Sequence, residues 1–411
     1  MTSETYFEIV WQQFRKNRAA YWSLWLFAGI FLLAILAPLL GSDVPFVFRD
    51  GDKTLYPWLV ALFNPDEHVD YAFNMALLGL PAYAVVAVLG NRWAKRRGIP
   101  GRVRLAGVLA GYLALTVVLC GFFAIPGIRP NNKYRTRRFV AEELASSGQK
   151  HGIYAPIPFG ALEQDISSRF KRPMYRKPRD TWQEANDGFV HLLGTDDIGR
   201  DVMVQMLYGT RLSMTIGFLA VSIYLTIGII LGAIAGYYGG WHDMLISRLV
   251  EIVLLFPSFF LILTLVGLMG PSIYIIMFVI GITGWPTIAR LIRGEVLKQR
   301  AIDYVTAARA LGTSHRRVVF RHILPNAISP ALVAAPFGIA GAIITEAGLS
   351  LLGFGVRPPT PSWGTLLRLA SYNYNYWWLV VVPSLAIFVT VTVFNLVGSG
   401  MRDALDPRLR R

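Results

Sequence analysis

Three carboxylates in a polar stretch, Asp196, Asp197 and Asp201 around Gly199-Arg200, are the residues whose types could most readily support chemistry. Carboxylate oxygens are ligands that hard cations such as Ca²⁺ and Mg²⁺ prefer. Consecutive aspartates do not themselves form a coordination cage, and the sequence lacks the spacing of an EF-hand loop. We therefore predict a turn and a helix N-cap here rather than a metal site.

Other patterns that indicate enzymatic chemistry are missing from the sequence. The six histidines are scattered, and none has the H-x-x-x-H or H-E-x-x-H spacing of a zinc site. No G-x-x-x-x-G-K-[ST] loop is present, so this chain is not expected to bind ATP. The long polar segment 126–211 shows no recognisable nucleophile–base arrangement. We therefore expect a chain with no catalytic residues and with no cofactor or metal of its own.

The composition indicates what kind of secondary structure must position the polar residues. Of the 411 residues, 54% are hydrophobic and 16% are charged, against roughly 25% charged in soluble proteins. Apolar runs of 18 residues or more recur, which predicts an all-α polytopic membrane protein with about eight transmembrane helices. The net charge of +15 does not indicate nucleic-acid binding, because the basic residues fall largely between the apolar runs. The lone Cys120 excludes a disulfide framework.

The apolar runs divide the chain into five predicted parts. They are a cytoplasmic N-terminal segment (1–20), a first transmembrane helix (21–40), an insertion (41–211), a helical core (212–400) and a cytoplasmic tail (401–411). The insertion contains two extra predicted transmembrane helices, 72–89 and 105–125, and then the polar segment 126–211. The core contains five more predicted helices, at 212–236, 245–268, 273–291, 328–352 and 377–397. The first apolar run is too long for a cleaved signal peptide.

Basic residues between the helices predict which side each loop occupies. The loop between the two extra helices has no acid and carries Arg92, Lys95, Arg96, Arg97, Arg102 and Arg104, which predicts a cytoplasmic loop. Counting crossings places both termini in the cytoplasm and segment 126–211 in the periplasm. That segment is also basic, with Arg135, Arg137, Arg138, Lys171, Arg172 and Arg176. Long loops cross membranes largely regardless of charge, so the count decides.

The stretch 303–325 is a polar, basic island between apolar runs. An apolar stripe of Tyr304, Val305, Ala308 and Leu311 predicts a short helix, and Gly312 after it predicts a left-handed C-cap. A second helix is expected from about Ser314 to Leu324, ending at Pro325. The stretch could be an ordinary linker between two membrane helices or a docking helix for a soluble partner. A linker needs only length, so this helix–Gly–helix construction favours docking.

This stretch resembles a known motif. Thr306-Ala307-Ala308, then Gly312, then Leu324-Pro325 resemble the EAA loop of the integral membrane subunits of bacterial ABC importers. In that family the short helix seats in a cleft of the ATP-hydrolysing subunit and passes nucleotide-driven closure to the membrane helices. Thr306 stands where Glu is usual and His322 where Ile is usual. These departures leave the individual contacts open but keep the geometry.

Four other stretches resemble the dipeptide, oligopeptide and nickel permeases of that family, in matching order. They are HLLGTDDIGRDVMVQMLYGTRLS (191–213), DMLISRLVEIVLLFPSFFL (243–261), EAGLSLLGFGVRPPTPSWG (346–364) and RDALDPRLR (402–410). Stretches at 21–27, 43–51 and 154–160 resemble the microcin C and oligopeptide subfamily, which has an enlarged outer loop. The resemblance does not cover residues 72–125, for which lipid-facing packing or an assembly surface is the default expectation.

The resemblance implies a permease subunit for oligopeptides or peptide-like compounds in the bacterial inner membrane, with a core of five or six helices. The implied coupling loop consists of Asp303, Tyr304, Ala307, Ala308, Leu311, Gly312, Leu324 and Pro325. The implied partners are ABC ATPase subunits that use ATP and Mg²⁺, a second and non-identical permease, membrane lipid, and a solute-binding protein at the outer face. That protein would touch the loops 195–211 and 358–363. The solute-binding residues are not identifiable.

Alternatives to this function remain at the level of sequence. A permease for nickel, dipeptides or another small solute fits the same motifs. A stand-alone secondary transporter or channel needs ionisable residues at mid-membrane, and the apolar runs hold few of them. A membrane enzyme ranks last, because segment 126–211 lacks a catalytic pattern.

Within the helices, two prolines and two glutamates carry specific expectations. Pro257 and Pro286 should kink their helices, as suits a path that opens alternately to each side. Glu346 is costly in an apolar run and should face the protein interior, with Arg357 as a candidate structural partner. Glu251 should pair with Arg248 three residues earlier.

Overall fold

The computed structural model describes residues 6–50, 53–65, 68–97, 101–125, 151–176, 190–270 and 272–405. Residues 126–150, with Arg135, Arg137 and Arg138, and the end of the tail, 406–411, lie outside the described residues, as does the start of the N-terminal segment. The predicted core, 212–400, is described throughout except at residue 271.

The described chain is mainly helical. The helices before the core are α1 (Tyr6–Lys16), α2 (Arg18–Leu40), α3 (Pro57–Leu62), α4 (His68–Arg96) and α5 (Gly101–Ala124). The core helices are α6 (Val202–Tyr238), α7 (Gly240–Leu255), α8 (Ser258–Met269), α9 (Ile273–Arg300), α10 (Asp303–Ala310), α11 (His315–Arg317), α12 (Leu324–Ala327), α13 (Ser329–Leu351), α14 (Trp363–Tyr372) and α15 (Trp377–Leu405). The strands are β1 (Val47–Asp50), β2 (Lys53–Leu55), β3 (His151–Ile153), β4 (Tyr175–Arg176) and β5 (Val190–His191).

The strands form two small sheets outside the helical core. One has the order β2-β1-β3 with antiparallel pairing, and Phe48 lies opposite Leu55 on one side and Gly152 on the other. The second sheet pairs β4 with β5, with Tyr175 opposite His191. The first sheet therefore joins the chain just after α2 to a segment about a hundred residues later in the sequence.

The described residues include seven helices long and apolar enough to span a membrane, and an eighth candidate made of two helices. That candidate is the pair α7 and α8, which meet at an angle of 85°. Pro257 lies between them and cannot donate a backbone hydrogen bond, so the predicted kink is a full break in the helix. Pro286 lies within α9, which stays one continuous helix.

The helices α6 and α9 run parallel and pack closely. A Cβ added to Gly281 would meet Ile223, and one added to Gly236 would meet Val296, so residue numbers rise together along both helices. Parallel helices end on the same side, and Arg300 Nη1 donates to the carbonyl oxygen of Tyr237 at 2.8 Å. The bent pair between them must therefore return the chain across the full length of the core. This supports a total of eight crossings.

Glycines at four-residue spacing make this close approach possible. A Cβ on Gly228 would lie 2.6 Å from the Cβ of Ile288, and one on Gly232 would lie 2.5 Å from the carbonyl oxygen of Ala289. Small residues at this spacing let helix backbones pack closely in membranes, where no hydrophobic effect drives helices together. The α6–α9 pair is thus the tightly packed centre of the core.

The other long core helix against α6, α13, runs antiparallel to it. On α13, Ile343 and Ile339 pack over Gly217 while Gly338 packs over Tyr224, so residue numbers fall along α13 as they rise along α6. The core therefore has two ends. We call them the Arg300 end, where α6 and α9 finish, and the Val202 end, where α6 begins.

The insertion adds a helical hairpin beside α2. The hydroxyl of Tyr71 donates to the carbonyl oxygen of Cys120 at 3.1 Å, and that of Tyr112 to the carbonyl oxygen of Ala76 at 2.7 Å, so α4 and α5 are antiparallel. The predicted extra helices at 72–89 and 105–125 thus correspond to longer helices, with the basic loop between them at the Arg300 end.

The first core helix begins earlier than the apolar run predicted at 212–236. The helix α6 starts at Val202, because Asp201 caps it by accepting from the backbone N–H of Val204 at 2.9 Å. Arg211 lies within this helix and is fully buried. In the sequence Arg211 looks like the last charged residue of a polar loop. In the folded chain its charge pairs with Asp70 inside the protein.

Candidate functional site

The stretch 303–325, which we call the coupling segment, lies at the Arg300 end of the core. Its first helix, α10, ends as predicted on Gly312, which has a φ of +76°. The N–H of Thr313 donates to the carbonyl of Ala308 at 3.1 Å, and the N–H of Gly312 to that of Arg309 at 3.0 Å. This paired pattern is a Schellman motif, which satisfies carbonyl groups that a helix end otherwise leaves free.

The residues of the apolar stripe form the predicted short helix, but they differ in burial. Val305 is fully buried and Ala308 is half-buried, but Tyr304 is 39% exposed and Leu311 is 86% exposed. Leu311 is the C-cap residue, where the chain leaves helical geometry, so its side chain no longer follows the helical face. One valine thus anchors α10, and the other apolar positions remain on the surface.

The second predicted helix is also different from the expectation. Residues His315–Arg317 form α11, Val318–Ile323 form a π-helical turn, and Leu324–Ala327 form α12. Pro325 was expected to end the helix, but it occupies the first turn of α12. The first turn of a helix has no intrahelical partner for backbone N–H groups, so proline is tolerated there.

Buried side chains hold the coupling segment against the core. Val305, Val318 and Ile323 are fully buried, in the same apolar cluster as Ile292 and Val296 of α9. Replacement of any of these side chains would loosen the segment from α9. The segment is therefore packed onto the central helix pair.

Hydrogen bonds add specific links to both central helices. The hydroxyl of Tyr304 donates to Gln299 Oε1 of α9 at 2.9 Å and also lies 3.1 Å from the carbonyl oxygen of His322. The hydroxyl of Tyr237, in the last turn of α6, lies 2.7 Å from His315 Nδ1. The guanidinium of Arg309 lies over the Tyr237 ring at 5.4 Å. The segment is therefore bonded to both α6 and α9.

The opposite face of the coupling segment is exposed. We call it the coupling surface, and it consists of Asp303, Thr306, Ala307, Leu311, Gly312 and Phe320. Leu311 and Phe320 are 86% and 69% exposed. Leu324 is half-buried and Pro325 is exposed. The surface presents two large apolar side chains beside basic ones, which suits a protein partner and not a chemical reaction.

Glu346 is a structural residue at the Val202 end. Its side chain is fully buried, and Oε1 accepts from Ser350 Oγ at 2.7 Å and from Ser362 Oγ at 3.0 Å. The expected interior position is correct, but Arg357 is exposed and is not its partner. Ser362 also caps α14 by accepting from the N–H of Thr365 at 3.0 Å. Glu346 thus ties α13 to the start of α14.

The aspartate group forms the predicted turn and helix cap. Asp196 accepts from Arg200 Nε at 2.6 Å and from Gln205 Nε2 at 2.8 Å, while His191 Nδ1 contacts Asp201 Oδ2 at 2.8 Å. Burial and the neighbouring charge of Asp196 raise the pKa of Asp197. Among the described residues no three metal-ligating side chains come together. This network fixes the entry to α6.

A buried arginine joins the inserted hairpin to the core, and sequence reasoning missed it. Arg211 Nη1 donates to Asp70 Oδ1 and to Asn74 Oδ1, both at 2.9 Å, and Nε donates to the carbonyl oxygen of Ala34 at 2.6 Å. Arg211 thus links α6, α2 and α4. An acid at the start of one apolar run and an arginine at the start of another were the available signal.

By contrast, the predicted Arg248–Glu251 pair is confirmed at 2.6 Å.

Comparisons with known proteins identify the family. Residues 228–411 match the family model described as binding-protein-dependent transport system inner membrane component. Residues 5–52 match the N-terminal TM domain of oligopeptide transport permease C. A solved structure of an amino acid ABC transporter matches 48% of this chain and 92% of its own at 21% identity, with a TM-score of 0.38 that is too low to compare folds.

Three relatives resemble much of the chain. The dipeptide transport system permease protein DppC of Escherichia coli (strain K12) is 46% identical over 62% of this chain and 82% of its own length. DppC of Alkalihalophilus pseudofirmus is 42% identical over 54% of this chain and 73% of its own. The oligopeptide transport system permease protein OppC of Bacillus subtilis (strain 168) is 41% identical over 54% of this chain and 73% of its own length. The chain therefore belongs to the binding-protein-dependent inner membrane components, the permease subunits of ABC importers.

Proposed function

We propose that this permease takes up oligopeptides or peptide-like compounds. The support is that its relatives are named for dipeptide, oligopeptide and glutathione transport. The alternative is a permease for nickel or another small solute. In either case this chain forms part of the membrane path, and a periplasmic solute-binding protein delivers the solute at the Val202 end. A second, non-identical permease completes the path.

We propose further that an ABC ATPase subunit docks on the coupling surface. The observation that carries this proposal is the construction of the coupling segment, which is exposed on one face and bonded to both α6 and α9 on the other. ATP and Mg²⁺ are bound by that partner and not by this chain. Closure of the ATPase pushes the coupling segment, and the parallel helices carry the movement into the membrane.

This arrangement requires the Arg300 end to face the cytoplasm. The segment from Arg290 to Arg321 has eight basic residues against Glu295 and Asp303, as positive-inside loops do. The helix α1, the basic hairpin loop and the end of α15 lie at the same end. Both termini are therefore cytoplasmic in the proposed topology.

The experiment is co-purification of the chain with its ATPase, followed by an ATPase and uptake assay. Leu311→Glu introduces a charge at an exposed position, so it should break docking without unfolding the chain. Ile166→Glu is the matched control, because Ile166 is 70% exposed at the opposite end. We expect Leu311→Glu to lose the ATPase during purification and Ile166→Glu to retain it. Full retention and ATP-driven uptake by Leu311→Glu would refute the docking proposal.

The solute class needs its own test. Uptake of a labelled tripeptide by cells that express the complex should fall when an excess of unlabelled peptide is present. An excess of Ni²⁺ or of free amino acids should have no effect. Competition by Ni²⁺ alone would favour the alternative.

A further inference from the structure

The hairpin of α4 and α5 stands apart from the core, and neither of the two matched family models covers it. Residues 107–124 form an apolar helical window in which no residue is buried. Val85, Val117 and Val118 on its two helices are at least 60% exposed. The hairpin contacts the rest of the chain through α2, α3 and the Arg211 junction, and the ring of Phe123 on α5 lies 4.5 Å from that of Phe63 after α3. Its remaining apolar sides are exposed, as in helices that face lipid.

The tip of this hairpin has an uncompensated positive charge. We define the hairpin tip as Asn91 to Arg97 together with Arg104. Arg92, Lys95, Arg96 and Arg97 are all exposed, and no ion pair among the described residues involves them. The sequence has no acidic residue between Asp70 and Glu142, so local side chains cannot neutralise this charge. These exposed charges are therefore available to an external anion.

Two contacts fix part of the hairpin tip. The Arg97 guanidinium lies 4.1 Å from the centre of the Trp93 ring, and Trp93 is 53% exposed. Arg104 Nη1 of α5 donates to Asn91 Oδ1 of α4 at 3.1 Å, which joins the two helices. Arg104 Nε is shielded from solvent and has no acceptor among the described residues. Arg104 thus braces the two helices at the tip, and the exposed basic residues beside it are the donors that an oxygen anion can reach.

We propose that the hairpin tip binds the headgroup of an anionic phospholipid. The phosphodiester oxygens accept from the exposed Arg92, Lys95 and Arg96, and the acyl chains lie along the apolar sides of α4 and α5. Trp93 is of the residue type that sits at headgroup level. The lipid-facing hairpin below the tip favours a lipid over free phosphate, which would use only the charge. The inserted hairpin is thereby an arm of the permease that binds phospholipid non-covalently.

Native mass spectrometry of the purified full-length chain tests this proposal. The chain is mixed with phosphatidylglycerol or with zwitterionic phosphatidylcholine, and the retained lipid is counted. The tip variant carries Arg92→Gln, Lys95→Gln and Arg96→Gln. The matched control carries Arg248→Gln, Arg290→Gln and Lys298→Gln, which remove the same charge from exposed residues near the same end of the core. Inorganic phosphate serves as a competitor.

The unmodified chain and the control should retain phosphatidylglycerol in preference to phosphatidylcholine. The tip variant should lose this preference by about tenfold or more, because it removes three positive charges that attract an anionic headgroup. Equal retention by the tip variant and the control would overturn the proposal. So would displacement by millimolar inorganic phosphate, or retention of an acidic protein in place of lipid.

Discussion

The hydroxyl of Tyr237 lies 2.7 Å from Nδ1 of His315, and this contact joins the last turn of α6 to the coupling segment. The carbonyl oxygen of the same tyrosine accepts from Arg300 at the end of α9. Its ring also lies beneath the guanidinium of Arg309. One residue therefore contacts both central helices and both halves of the coupling segment. We infer that Tyr237 transmits movement between the proposed ATPase and the membrane path.

Tyr237→Phe should weaken this transmission without disturbing assembly. The ring and its packing remain, and a single hydrogen bond worth about 1 kcal/mol is lost. We expect an unchanged amount of bound ATPase but fewer solute molecules taken up for each ATP hydrolysed. Uptake and hydrolysis would be measured together in reconstituted vesicles. Tyr238→Phe is the control, since Tyr238 is half exposed and its hydroxyl makes no hydrogen bond among the described contacts; an equal loss in both variants would contradict the role of Tyr237.

The effect of a substitution at Gly312 should depend only on the backbone strain that the new residue introduces. Its φ is +76°, and an added Cβ would meet no atom within 4 Å. The left-handed conformation costs a non-glycine residue roughly 1–2 kcal/mol, with Asn the least affected. We expect faster hydrogen exchange in α10 for Gly312→Ala, and ATPase binding that falls in the order Gly, Asn, Ala, Val. Gly294→Ala, also in open space but within α9, should have neither effect; a loss there as large as at Gly312 would argue against strain.

Local sequence signals predicted most of the helices and the Gly312 cap. Apolar runs identify membrane helices because the lipid leaves the backbone no other partner, and a glycine after an apolar stripe identifies a left-handed cap. The sequence predicted a kink at Pro257 but not a complete break, and it did not predict the π-helical turn. Both depend on how α7, α8 and the coupling segment pack against neighbours distant in sequence.

The positions that the sequence described incompletely share one physical cause. Arg211, Glu346 and Leu311 were each interpreted from the residues next to them. Arg211 is buried because Asp70 and Asn74, over a hundred residues earlier, accept its hydrogen bonds. Glu346 is held by Ser362, and Leu311 is exposed because the helix ends there. Partners and helix ends in the folded chain decide such positions, and a single sequence does not reveal them.

Gly232→Ala should destabilise the core through a steric clash. The new Cβ would lie 2.5 Å from the carbonyl oxygen of Ala289 and 2.9 Å from the Cβ of Ile292, so α6 and α9 must separate. Overpacking of this kind costs about 1–3 kcal/mol. The thermal unfolding midpoint of the purified chain in detergent should fall. Gly341→Ala in α13 is the control because nothing lies within 4 Å of its added Cβ; equal midpoints in the two variants would show that the helices are not in close contact.

Arg211→Met should detach the inserted hairpin from the core. Methionine keeps much of the buried volume but removes the guanidinium that donates to Asp70 and Asn74, and breaking a buried ion pair costs about 3–5 kcal/mol. Adding Asp70→Asn removes the carboxylate charge that this guanidinium pairs with and should restore part of the stability. Thermal unfolding and protease cleavage between α5 and α6 would report both effects. Arg248→Met should cost less than about 1 kcal/mol, because that pair with Glu251 is exposed. A loss at Arg211 no larger than the loss at Arg248 would show that the hairpin does not depend on this junction.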